Sequence, residues 1–126
     1  MVYDRNNIFA KILREEIPCK KYYENDFVLA FEDVYPQRKI HVLVIPKGEY
    51  TDLDDFHRKA SDIEIIEFFK AITHVAELLK VSAQFDGYRV ISNVGSNAGQ
   101  EVPHLHFHLV GGEKIGRMLP KRNDYG

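Results

Sequence analysis

Val102-Pro103-His104-Leu105-His106-Phe107-His108-Leu109-Val110 alternates polar and apolar residues over most of its length and is closed by Gly111-Gly112. A period of two is the signature of a half-buried strand. Successive strand side chains point to opposite faces. Leu105, Phe107 and Leu109 are therefore expected to face a core, and His104, His106 and His108 to share an exposed or cleft-lining face. Histidine is not a favoured core filler, so packing alone explains the row poorly.

The flanking sequence supplies the rest of a sheet. Asp86-Gly87 turns the chain into a strand over Tyr88–Ser92, followed by the loop Asn93-Val94-Gly95-Ser96-Asn97-Ala98-Gly99. Upstream, Lys20–Tyr23 and Phe27–Phe31 read as a hairpin around Glu24-Asn25-Asp26, and His41–Ile45 as a β-branched strand stopped by Pro46. Ile8, Phe9, Ile12 and Leu13 recur at helical spacing over 7–14. Ser61 and Glu64 match a capping box before the period Ile63, Ile66, Phe69, Ile72, Ala76, Leu79, which predicts one long helix over 62–80. Thr51 to Phe56 is expected to give no more than a helical turn. The order predicts an α+β fold: an antiparallel five-stranded sheet with one long and one short helix on one side, as a single domain over 1–126.

Composition bounds the class. The 126 residues are 44% hydrophobic and 29% charged, which suits a globular domain. A net charge of −2 is too neutral for a dedicated nucleic-acid or membrane-surface binder. One cysteine, Cys19, excludes an intramolecular disulfide and fits a reducing compartment. Apolar runs such as Phe27–Phe31 and Val42–Ile45 fall far short of the ~20 residues that span a bilayer, and Met1–Asn7 has no signal-peptide core. A soluble, cytoplasmic protein is expected, with neither nucleic acid nor membrane as partner.

Two chemistries want such a histidine row. One is metal ligation, although three side chains on one straight strand converge poorly. The other is nucleophilic catalysis by a neutral imidazole whose second nitrogen is held by a neighbour. A solvated surface cluster without a role is the third reading. The Gly/Asn loop exposes backbone N–H groups that can form an anion nest, and beside the histidines it suggests a phosphate held over a nucleophile. No Walker A or GxGxxG pattern is present.

Gly99-Gln100-Glu101-Val102-Pro103-His104-Leu105-His106-Phe107-His108-Leu109-Val110-Gly111-Gly112 resembles the signature of the histidine triad (HIT) family, His-x-His-x-His with apolar spacers. The resemblance runs through nearly the whole chain. Ile8-Phe9-Ala10-Lys11-Ile12 with Glu16-Ile17-Pro18, Ala30-Phe31-Glu32-Asp33 and His41–Lys47 are similar to the Hint branch, as are Asp86–Arg89 and the tail Ile115–Leu119. It implies a homodimer whose sheets join into one, hydrolysing nucleoside 5′-phosphoramidates of the AMP-lysine type without a cofactor. By alignment His106 is the nucleophile, organised by His104 and His41. His108 and Asn93 serve the phosphate, and Asp33 the ribose hydroxyls. Ile8, Phe9, Phe31 and Leu43 wall the base, and Gly99, Gln100 and Val102 complete the substrate-binding set.

Two positions depart from relatives. Glu101 stands where some carry a serine assigned to the leaving amine, so Glu101 is either the acid there or structural. Asn7 and Ala10 stand where some carry half of a zinc site, so no metal is expected. The leading reading is a phosphoramidase. The alternatives are a purine-nucleotide sensor or adaptor with incidental turnover, a dinucleoside polyphosphate hydrolase, and a zinc enzyme using the row. Cys19 reads as a small, partly buried hydrophobe, and His57 and His74 as solvated residues. Lys114, Arg117, Lys121 and Arg122 read as a solvated basic tail.

Overall fold

Five strands hydrogen-bond in the order β1-β2-β3-β5-β4, every neighbouring pair antiparallel. They are β1 (Lys21–Glu24), β2 (Val28–Glu32), β3 (Ile40–Pro46), β4 (Tyr88–Ser92) and β5 (Phe107–Gly111). The helices are α1 (Ile8–Leu13), α2 (Leu53–Lys59) and α3 (Asp62–Leu78). The computed structural model describes residues 2–122, so Met1 and 123–126 of the domain expected over 1–126 lie outside it. No helix among the described residues is long and apolar enough to cross a membrane.

Local chemistry starts each element where the sequence signals it. Asn25 Oδ1 accepts from the N–H of Phe27 and of Val28, which closes the β1–β2 hairpin. Ser61 and Glu64 form the reciprocal capping box at the start of α3. The segment 51–56 gives more than a turn. Asp52 caps Asp55 N–H and opens the two-turn helix α2, whose buried Phe56 packs against Phe68 of α3. An N-cap aspartate ahead of an acidic first turn is the signal for it.

The helices do not all lie on one side. Val28, Ala30, Val42 and Val44 share a core with Phe68, Ala71, Ile72 and Val75 of α3. The alternate strand residues Leu29, Phe31, Leu43 and Ile45 pack on the opposite face against Phe9 and Ile12 of α1. β2 and β3 are buried on both faces, which is why they read as continuous apolar runs.

β5 starts at Phe107, five residues later than the alternation suggests. Pro103 has no N–H to offer a ladder. Leu105 N–H donates to the carbonyl of Tyr50, off the sheet, at 2.8 Å. Residues 102–106 therefore bend away, and of the three histidines only His108 lies in the strand.

Candidate functional site

The bend lets the histidines do three different things. His104 is 1% exposed and lies beneath the site rather than along it. Its Nε2–H donates to the carbonyl of Pro46 at 2.9 Å, and its Nδ1 accepts from the hydroxyl of Tyr3. Both nitrogens are used by a neutral ring, and burial pushes its pKa down to about 4.

His106 Nδ1–H donates to the carbonyl of His104 at 2.7 Å. A carbonyl can only accept, so the proton is on Nδ1 and Nε2 keeps its lone pair. The ring packs edge-on against Phe9, with centroids 4.9 Å apart, and burial lowers its pKa below the ordinary imidazole value. A neutral, oriented imidazole with one free nitrogen is what nucleophilic attack requires.

His108 is set the other way. The N–H of Gln37 donates to His41 Nδ1 at 3.0 Å, so the His41 proton is on Nε2. That N–H donates to His108 Nδ1 at 2.9 Å, which leaves His108 with an Nε2–H donor. Burial, together with the neighbouring His106 and His41 rings, lowers the pKa of His108 to about 4. Asp33 Oδ2 lies 3.4 Å from His41 Nε2, while Oδ1 accepts from the N–H of Tyr35. Burial lowers the pKa of His41, opposed by Asp33.

A cleft of about 470 Å³ opens over this face. It brings together Ile8, Phe9, Phe31, Asp33, Leu43, Asn93, Gly99, Gln100, Glu101, Val102, His106 and His108. Of the residues expected at the site, His104 and His41 stand outside its lining, each holding another histidine. Ile12, Val34 and Tyr35 line the cleft unforeseen. Ile12 shares the α1 face of Ile8 and Phe9, a signal present in the sequence. Tyr3 had none, because its partner is 101 positions away.

The loop before the bend is tied down. The Gln100 side-chain amide donates to the carbonyls of Thr51 and Val102, and its oxygen accepts from Gly95 N–H. Gln100 thus holds the loop as well as lining the cleft. The N–H groups of Gly99 and Gln100 bond to Ser96 and Gly95 carbonyls. Those two donors close the turn and are not available to the expected anion nest. Gly95 and Gly99 both have φ of +76°, where glycine is favoured.

Asp33, His41 and His108 offer ligand atoms within 4.8 Å of one another, a spacing that could hold a metal ion. An ion there would compete with the His41–His108 hydrogen bond for the same nitrogens. Asn7, at the position of a possible zinc ligand, instead caps α1 by accepting from Ala10 N–H.

The HIT domain family profile matches residues 14–115. An uncharacterized 13.2 kDa HIT-like protein of Azospirillum brasilense is 51% identical over 119 residues, covering 94% of this chain and 96% of that one. The purine nucleoside phosphoramidase of Escherichia coli K12 is 38% identical over 115 residues, covering 89% and 92%. The solved structure of a HIT family hydrolase from Clostridium thermocellum superposes with a TM-score of 0.81 at 39% identity, over 92% of this chain and 99% of that one.

Proposed function

The chain belongs to the HIT domain family, and on that premise we propose that it hydrolyses the P–N bond of purine nucleoside 5′-phosphoramidates. The observation that carries this reading is the free Nε2 lone pair on His106, fixed by the bond from its Nδ1 to His104 and open to the cleft. A protein that only bound nucleotide would have no use for it. The 38% identity to a purine nucleoside phosphoramidase supports the choice of bond.

In this reading Ile8, Phe9, Phe31 and Leu43 hold the base, and Asp33 accepts from the ribose hydroxyls. Asn93 and the Nε2–H of His108 hold the phosphate oxygens as charge develops. His106 Nε2 attacks the α-phosphorus, the new P–N bond forms in line, and the bond to the leaving amine breaks. Glu101, exposed at the cleft, gives the amine its proton. Water then attacks the nucleotidyl-histidine. Its hydroxide joins phosphorus, its proton returns to Glu101, and a nucleoside monophosphate leaves. Positioning and charge stabilisation do most of the work, as phosphoryl-type transfer requires.

The working unit in this reading is a homodimer. β4 is an edge strand with one side unpaired. Ile63, Ile66 and Phe69 on α3 are 42–48% exposed, and Val90 on β4 is 36% exposed. Exposed apolar edges of this kind call for a covering partner, and a second copy adding β4 to β4 continues the sheet.

Comparing AMP-amide, GMP-amide and a diadenosine polyphosphate as substrates tests the function. The reading expects the amides to have the higher kcat/KM. Turnover of the dinucleotide alone, or tight nucleotide binding without turnover, would replace it with the dinucleotide or sensor reading.

A further inference from the structure

A second cavity, of about 310 Å³, adjoins the cleft, and Asn93 and His108 line both. The cleft reaches His106, just before β5, and His108 within it, whereas the second cavity reaches His108 and Val110, both within the strand. Side chains two residues apart on a strand are separated by about 7 Å. That is close to the distance from a phosphorus to an anionic group a few bonds away.

The two cavities divide the charge between them. Asp33 and Glu101 line the cleft, with no lysine or arginine. Arg38, Arg89 and Arg117 line the neighbour, with no carboxylate. Among the described residues none of the three arginines forms an ion pair. Arg38 and Arg89 are only partly exposed. They are fixed from behind by the C-terminal segment: Arg38 donates to the carbonyl of Ile115 at 2.8 Å, and Arg89 to those of Gly116 and Arg117 at 2.9 Å. A guanidinium has five N–H donors. Carbonyls take two from each of these arginines, so donors remain and the positive charge is uncompensated.

We propose that this cavity is a subsite for an anionic group, carboxylate or phosphate, carried on the leaving portion of the substrate. Among phosphoramidates, the preferred substrates are then those whose leaving amine carries an acidic group. The proposal rests on the hydrolase reading above and deepens it. In-line displacement sends the leaving group away from His106; the arginine-lined cavity does not include His106 and joins the cleft at His108 and Asn93, the residues read as holding the phosphate. Planar guanidinium donors suit both oxyanions, which they bind in a fork.

The test uses a matched pair, AMP joined through nitrogen to β-alanine and to β-alaninamide, which differ only in the carboxylate. A diadenosine polyphosphate is the phosphate arm. Wild type should favour the carboxylate by about tenfold or more in kcat/KM, the scale of one hydrogen bond to a charged group. Arg38→Met and Arg89→Met should each bring the ratio toward one, Arg89→Lys should retain part of it, and added salt should lower it. The ratio is internal to each variant, so a general loss of activity does not mimic the effect. If the dinucleotide rather than the carboxylate shows the arginine-dependent preference, the anion is a phosphate. A wild-type ratio at or below one, with no arginine-dependent gain for the dinucleotide, overturns the subsite while neutral amides still report the hydrolase. Pyrophosphate binding, followed by calorimetry, reads the subsite without turnover. It should weaken about tenfold or more in the Arg38→Met/Arg89→Met double variant, and equal binding would overturn the proposal.

Discussion

His106 Nδ1 and the carbonyl oxygen of His104 are 2.7 Å apart, so the backbone of one histidine sets the tautomer of the other. His104 is in turn held by Pro46 and Tyr3, and His108 by His41. The three imidazoles of the row are thereby a ring protonated on Nδ1 with Nε2 free, a buried support and an Nε2–H donor.

Tyr3→Phe keeps the ring and removes the hydroxyl that donates to His104 Nδ1. An unsatisfied buried acceptor costs about 1–3 kcal/mol, so thermal unfolding should move down by several degrees. Turnover should fall about threefold to tenfold through kcat rather than KM, because the loosened His104 carbonyl orients the nucleophile. Unchanged melting temperature and kcat would mean that Tyr3 does not support His104.

Glu101→Ala should lower the rate about tenfold to a hundredfold for substrates whose leaving amine needs a proton. The loss should shrink for good leaving groups. Steady-state rates across amines of graded basicity check this, and a uniform loss would assign Glu101 a structural role.

Stability should fall with acid in a defined window. The pKa of His104 and of His108 is lowered from 6.5 to about 4 in the folded chain. Between those values the unfolded chain binds more protons, so falling pH favours unfolding. The contribution is complete above pH 6.5 and lost as pH falls through about 4, on the order of 3 kcal/mol for His104 alone. Urea unfolding at pH 7 and pH 4.5 measures it. His104→Asn should flatten the slope, and an unchanged slope would remove His104 as a source.

Much of this was legible in the sequence because period-two alternation reports burial; helical spacing located α3, although Ile63, Ile66 and Phe69 of its period stay 42–48% exposed and Phe68, Ala71, Ile72, Val75 and Ala76 face the core. Leu105, Phe107 and Leu109 do face the α3 core or reach it, and the five strands lie within a residue or two of their expected places except for β5. Alternation continued through Pro103 to His106 although the backbone had left the sheet, since a bend that buries the same side chains keeps the same pattern. The position of α1 on the far face was hidden in β2 and β3, whose continuous apolar runs already required cover on both sides. Tyr3, Pro46 and Gln37 reach the histidines through long-range or backbone contacts, which no local pattern records. Alternation singles out His106 and His108, and composition the Gly/Asn loop; the other cleft residues are implied only by resemblance to the histidine triad family.

Sedimentation tests the pairing of two copies through β4 and α3. A dimer at micromolar concentration is expected, and Phe69→Glu or Ile66→Glu should shift it toward monomer. A wild-type monomer at that concentration would contradict the pairing.

Rapid quench of the protein with AMP-amide, followed by mass spectrometry, tests whether His106 becomes covalently bonded to the nucleotide. A nucleotidyl adduct is expected on His106 in the wild type and none in His106→Ala. Turnover of the variant should fall by at least about 10³-fold, or about 4 kcal/mol of barrier, while nucleotide binding persists. An adduct on another residue, or His106→Ala turning over within about tenfold of wild type, would contradict the covalent mechanism.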